Sequence, residues 1–251
     1  RAQRPGSFGD RLLEFLTPRL DREHLAWTIR YADPGRTVRI PPRLLPVLWE
    51  APLALADCLR QHRAAILVHD RVRPGLQSRF VDSVAVDDFA GGAYAAELLL
   101  GSARERRPAP RFAVLAGPPD DPRSRARIEG FHSIAAGRVL HARSWYLEAG
   151  FDRAAQTVRA GTDGIFCCND RLAEALVLWC VQHGRPRPRL VGFDDAPVAQ
   201  RLDLATIAIP WPELASAVVA AITRRLSDAA VLAHRQVLTP RPIIRSLRGE
   251  R

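Results

Sequence analysis

Gly164-Ile-Phe-Cys-Cys-Asn-Asp-Arg-Leu-Ala-Glu-Ala-Leu-Val-Leu-Trp179 changes its apolar period at one polar pair. Ile165 to Cys168 is a continuous apolar run, the pattern of a strand covered on both faces. From Leu172 the spacing turns helical, with Leu172, Ala175, Leu176 and Trp179 on one stripe and Gly184 placed as the residue that ends the helix. Asn169-Asp170 marks the exit of the strand. A buried strand, a polar exit and an amphipathic helix make the repeating unit of a parallel α/β sheet.

The same unit recurs outward in both directions. Ala64–Val68, Val84–Val86, Phe112–Ala116 and Leu190–Phe193 read as further buried strands. Leu12, Leu13, Phe15 and Leu16 form an early helical stripe closed by Pro18. Ala95, Leu98 and Leu99 belong to a helix opened by Gly91-Gly92 and closed near Gly101. Pro212 suits the first turn of a helix striped by Leu214, Val218, Ile222 and Leu226, a stripe read as core in preference to a dimer seam. Strand and helix alternate through most of the chain, so the expected class is a doubly wound α/β architecture. The polar, Pro-rich Arg104–Pro110, with Arg111, is the candidate crossover between two lobes, and the Pro-rich residues 32–52 stay unassigned.

A chain of 251 residues suits one large domain or two modest ones, at about 100–200 residues each. With 47% hydrophobic and 25% charged residues it is globular in composition, and it has no apolar run of the roughly 20 residues a membrane span needs. No signal peptide precedes the first helix pattern. The net charge of +10 comes entirely from arginine, because there is no Lys. Charge alone admits a nucleic-acid surface, but GC-rich coding explains Arg for Lys equally well. There is also no Met, and the sequence is expected to be a trimmed chain. Cys58, Cys167, Cys168 and Cys180 form no C-x-x-C pair and sit in apolar or helical patterns, so buried thiols in a reducing, cytoplasmic compartment are expected.

Signs of catalysis are missing. Gly91-Gly92 and Gly117-Pro118-Pro119 build no G-x-G-x-x-G loop, and a chain without Lys has no G-x-x-x-x-G-K-[ST]. The seven histidines are scattered without metal-ligand spacing, and no G-x-S-x-G elbow occurs. No catalytic residue, metal or cofactor is expected. What stands out is polarity at the strand exits, where ligands bind in open α/β sheets. Asp87-Asp88, Asn169-Asp170 and Asp194-Asp195 each follow a strand, and the strand at 112–116 leads to a helix carrying Arg123, Arg125 and Arg127. Any one pair reads as a helix cap. Together they suit a shared polar cleft, since carboxylates, an amide and a guanidinium give directional hydrogen bonds to vicinal hydroxyls.

Four segments stand out in order: Val84-Ala-Val-Asp-Asp-Phe-Ala-Gly-Gly92, Arg127-Ile-Glu-Gly-Phe131, Gly164–Asp170 with Leu172-Ala173, and Leu190-Val-Gly-Phe-Asp-Asp195 with Leu204-Ala-Thr-Ile207 and Pro210. Together they resemble the effector-binding domain of LacI/GalR-type transcriptional regulators, a periplasmic-binding-protein-like type. Ile244-Arg245-Ser246 resembles the family's ending, so the likeness runs over residues 84–246. Asp88 stands for the commoner Asn and Ile209 for Gln, and residues 1–80 match poorly, without an evident opening strand.

The resemblance implies two similar doubly wound lobes with a ligand cleft between them. Their expected bounds are 1–106 with about 210–234, and 107–209 with about 235–251, with crossings near Arg104–Arg111, Thr206–Pro210 and Ala233–Val237. By position, Arg127 grips the effector, Asp194 is the effector-binding acid, Asn169 contacts ligand or caps its helix, Trp145 stacks over the ligand or serves the core, and Asp88 lines a strand exit or caps. Asp87, Asp170 and Asp195 read as caps or hinge partners, and Phe8, on a poorly matched stretch, is a further aromatic in reach of the cleft. The implied function is an effector-sensing, homodimerising domain for a sugar or related polyol, with no membrane partner. Operator DNA would be read only by a domain outside these residues, upstream in the common arrangement. A solute-uptake binding protein is the alternative, and an α/β enzyme a weaker one.

Overall fold

Long apolar runs become strands because parallel strands bury both faces. The computed structural model describes residues 7–31, 39–61, 63–69, 80–103, 109–159 and 161–246. In chain order the first elements are α1 (Phe8–Arg22), β1 (Val47–Leu48), α2 (Pro52–Arg60), β2 (Ala65–Val68), β3 (Val81–Val86) and α3 (Asp88–Ala103). Next come β4 (Phe112–Ala116), α4 (Pro122–His132), β5 (Gly137–His141), α5 (Leu147–Thr157), β6 (Gly164–Cys167) and α6 (Asp170–Gln182). The last are β7 (Leu190–Asp194), α7 (Pro197–Arg201), β8 (Ala205–Ala208), α8 (Trp211–Ser227), β9 (Arg235–Leu238) and β10 (Arg241–Ile243). All five anticipated strands are present. Strands β1, β5, β8, β9 and β10 were not anticipated.

The chain divides into two units, Arg1–Val86 with Pro210–Leu238 and Asp87–Ile209 with Thr239–Arg251. The first unit holds a parallel sheet in the order β1-β2-β3-β9. The second holds the order β10-β8-β7-β6-β4-β5, parallel except for β10, which runs antiparallel to β8. Every residue of β2, β3, β4 and β6 is buried. This is the expected α/β class of parallel sheets wrapped by helices.

The details differ from expectation where tertiary packing overrides local signals. α1 continues four residues past Pro18, because Pro18 faces solvent while Leu12, Leu16 and Leu20 bury one stripe. Gly91 and Gly92 lie inside α3 rather than opening it. The first passage between units falls after Val86, not near Arg104–Arg111, since α3 packs on α4, β6 and β7. Arg104–Pro108 lie outside the described residues. The third passage follows β9 rather than preceding it, because β9 pairs with β3 from Ser83↔Arg235 to Val86↔Leu238. Of the α8 stripe, Leu214, Val218 and Ile222 are buried, whereas Leu226 is exposed.

One buried charge cluster ties the first unit together. Asp82 of β3 accepts from Arg225 Nε at 2.5 Å, from the backbone N–H of His234 at 2.6 Å, and from Arg224. Arg225 is 2% exposed and also donates to the carbonyl of Val231 at 2.7 Å. Helix α8, the turn after it and β9 are thereby fastened to β3. Removing one partner of a buried ion pair leaves the other charge uncompensated. Asp82→Ala is therefore expected to cost about 3–5 kcal/mol in urea unfolding. Arg224→Ala, whose side chain is 32% exposed, should cost about 1 kcal/mol or less.

Candidate functional site

The site grows from a close crossing of two helices in the second unit. A Cβ at Gly92 of α3 would lie 2.1 Å from the Arg127 carbonyl oxygen, and one at Gly130 of α4 would lie 1.9 Å from that of Phe89. Only glycine lets the two backbones approach this closely. Asp121 starts α4 as N-cap, its Oδ1 accepting from the Arg123 N–H at 2.9 Å, with Pro122 in the first turn. The crossing seats Arg127 beside the first residue of α3, Asp88.

Arg127 is 3% exposed. Its Nε donates to Asp88 Oδ1 at 2.8 Å, and Nη2 stands 2.8 Å from the same oxygen. Nη1 donates to the Cys168 carbonyl at the exit of β6 at 2.5 Å and lies 3.7 Å from Asp194 Oδ1 at the end of β7. The guanidinium carbon is 3.5 Å from the centroid of the buried Phe193 ring and 5.5 Å from that of Trp145, both cation–π geometries. One cation, from the middle of α4, thus joins the exits of β6 and β7 to the start of α3. A guanidinium has five N–H donors, more than these acceptors consume.

Trp145 donates from Nε1 to Asp121 Oδ2 at 2.7 Å, and the Arg123 guanidinium carbon lies 5.6 Å from its ring. Asn169 Oδ1 caps α6 by accepting from the Leu172 N–H at 2.8 Å, while its Nδ2 donates to the Trp145 carbonyl at 2.9 Å. The five sequence-predicted residues Arg127, Asp194, Asn169, Trp145 and Asp88 therefore belong to one connected network. Asp87 Oδ1 accepts from the Ala90 N–H at 3.1 Å, and Asp195 pairs with Arg245 at 2.8 Å. Phe8 lies in the first unit, its ring stacked 4.2 Å from that of His69. Asp121 and the Phe193 ring were not singled out beforehand. The Asp-Pro step that opens α4 was the available signal for Asp121.

Two carboxylates here are driven in opposite directions. Burial pushes Asp194 up to about 6, helped by the Asp88 charge and opposed by Arg127, Arg123 and Arg171. Burial also pushes on Asp121, but the hydrogen bonds and charge of Arg123 and the Trp145 N–H outweigh it and hold Asp121 down at about 2. Burial raises the Cys168 thiol to about 12, and all four cysteines are free and buried. A thiol so raised is no nucleophile near neutral pH. Among the described residues no group of His, Cys, Asp and Glu is placed to hold a metal ion. The arrangement presents a donor fork and an adjustable acceptor at strand exits, which is chemistry for binding hydroxyl groups.

The periplasmic binding protein-like domain family matches residues 91–246, and the chain belongs to that family. Solved structures share the fold. A LacI family transcriptional regulator from Enterococcus faecalis with bound ribose has a TM-score of 0.79 at 20% identity, over 97% of this chain and 95% of that one. A LacI family regulator from Enterococcus faecium with bound ribose has a TM-score of 0.78 at 20% identity, over the same 97% and 95%. A periplasmic binding protein/LacI transcriptional regulator from Alkaliphilus metalliredigens complexed with D-xylulofuranose has a TM-score of 0.61 at 16% identity, over 73% of this chain and 70% of that one. None of the curated proteins compared matches the chain.

Burial pushes the Asp194 carboxyl up to about 6 in the folded chain, from an ordinary value near 3.8. A raised acid stabilises the fold fully below its unfolded value and loses that contribution as pH rises through the folded one. Between about pH 4 and 6 the native protein is expected to lose up to about 3 kcal/mol from this group. Asp194→Asn should match the native protein at pH 4 and exceed it at pH 7, as read by urea unfolding at the two pH values.

Proposed function

We propose that this chain is the effector-sensing domain of a transcriptional regulator and that its effector is a small sugar or related polyol. The observation that carries the reading is Arg127, a buried guanidinium held at the exits of two parallel strands with Asp194 beside it. A fork of donors next to a carboxylate acceptor suits adjacent hydroxyls of a sugar, each of which both donates and accepts. The sugars in the similarly folded regulators support this class. Arg127 and Asp194 are the anchors. Asn169, Trp145 and Asp88 fix or extend the site around them. The domain is not an enzyme, works as a cytoplasmic homodimer, and regulates DNA through an attached reading domain. Four free, buried thiols fit a reducing compartment. Among the described residues no helix is long and apolar enough to cross a membrane.

A second reading, a solute-binding protein for uptake, is favoured by the description of the matching family. The gene upstream of Arg1 separates the two, since a helix-turn-helix belongs to a regulator and an export signal to an uptake protein. Light scattering on the purified domain tests the dimer.

Calorimetry with D-ribose, D-xylulose and a panel of pentoses and hexoses tests the site. Hydrogen bonds to charged groups contribute about 1.5–3 kcal/mol, so Asp194→Ala should weaken the best ligand at least about tenfold. Arg127→Lys keeps the charge but not the fork, and should do the same. Undiminished binding in both variants would remove Arg127 and Asp194 from the site.

A further inference from the structure

We propose that Asp170 is the positioning residue for Asp194: its enclosed carboxyl closes the turn that presents Asp194 to the ligand. The proposal rests on the reading of Asp194 as a ligand anchor. It begins with backbone conformation. Asp194 has φ +104° and Asp195 has φ +53°, two successive non-glycine residues in the positive region. Aspartate visits the left-handed well near +57° with modest strain, but +104° lies well outside it. A turn of this kind persists only where its surroundings hold it.

The holding group is Asp170. The N–H of Ala196, the residue after the two strained positions, donates to Asp170 Oδ2 at 2.7 Å. The Thr206 hydroxyl of β8 donates to Oδ1 at 2.7 Å, which fixes the carboxyl plane. Gly192, two residues before Asp194, leaves the room required, since a Cβ there would lie 2.1 Å from Oδ1. On the other side Arg245 pairs with Asp195 at 2.8 Å and donates to the Leu204 carbonyl at 3.1 Å. The residues on either side of Asp194 are thus tied down, which fixes the turn that carries it.

Asp170 is fully enclosed, at 0% exposure, so it touches no ligand and acts through the turn. Burial and the nearby Asp194 charge push its carboxyl well above the ordinary range. An amide has the same planar shape as a carboxyl and carries no charge. Asparagine at this position accepts from the Ala196 N–H through its oxygen and donates to the Thr206 hydroxyl oxygen, which turns to accept. Alanine does neither. The hydrogen-bonding role and the charge are therefore separable.

The experiment follows the Asp194 carboxyl by carbon NMR titration and D-ribose affinity by calorimetry, in the native protein and in Asp170→Asn, Asp170→Ala, Thr206→Val and Asp194→Ala. In Asp170→Ala the Asp194 titration should move from about 6 toward the ordinary 3.8, as the released side chain reaches water, and D-ribose should bind at least about tenfold more weakly. Asp170→Asn should keep both values, a rescue that a loss of packing volume or charge would not predict. Thr206→Val, which frees one carboxyl oxygen, should move the titration the same way by about half a pH unit or more, and carries the test if Asp170→Ala lacks a cooperative melt. An Asp194 titration unmoved in every folded Asp170→Ala or Thr206→Val sample overturns the proposal. D-ribose bound equally by native protein and Asp194→Ala, with the titration shifted in Asp170→Ala, overturns the anchor role instead.

Discussion

The buried pair of Arg127 and Asp88 is the interaction on which the second unit's site depends. A guanidinium at 3% exposure has lost its water and is tolerable only with a charged partner and further acceptors. Asp88 supplies the charge, the Cys168 carbonyl an acceptor, and Phe193 a ring face. None of these is near Arg127 in sequence. They meet because Gly92 and Gly130 let α3 and α4 cross with backbones in contact. A methyl group at either position would push Arg127 away from Asp88, and a buried charge without its partner costs about 3–5 kcal/mol. The glycines of the crossing and the arginine of the site are one constraint.

From that fixed cation the rest of the site takes its character. Asp194, 3.7 Å from Nη1, receives the field of Arg127 without the short contact that Asp88 enjoys, so burial wins and its affinity for protons rises. Asp121, gripped by Arg123 and Trp145, goes the other way. The first carboxylate keeps electrostatic strain that a hydroxyl donor can relieve. The second spends its capacity on fixing an indole and a helix start. Binding sites commonly give up stability in this manner, and a carboxylate whose ionisation weakens the fold fits the ligand role proposed for Asp194.

The parallel sheets were legible because burial on both faces writes an uninterrupted apolar run, as at Phe112–Ala116 and Ile165–Cys168. The candidate-site residues were picked out by the polar pairs that follow those runs and by a family likeness, and the fold brings them into one network. What misled was local chemistry with a tertiary purpose. Gly91-Gly92 looks like a helix opener, yet the helix starts at Asp88; Gly92 serves its crossing with α4, and Gly91 leaves room for the Phe193 ring. Pro18 looks like a stop, but a proline on a solvent-facing position leaves the buried Leu16–Leu20 stripe intact. Strand β5, with Arg138 and only Leu140 buried, carries no apolar run because it is an edge paired to β4 alone. Asp170 read as one more cap, and only the fold brings it beneath Gly192 and against Thr206.

A chain with arginine and no lysine first suggests a surface charge, but the arginines that matter are those no lysine could replace. Arg127 reaches a carboxylate and a carbonyl in different directions at once, and Arg225 bonds Asp82, Ala229 and Val231 from a site 2% exposed. A lysine has a single compact ammonium and sheds its proton readily when buried, so it could satisfy neither set. The same residue type that is spread over the surface is required by geometry in these two places. Composition cannot separate the two uses. What separates them is how many acceptors each arginine meets and how much water it has given up.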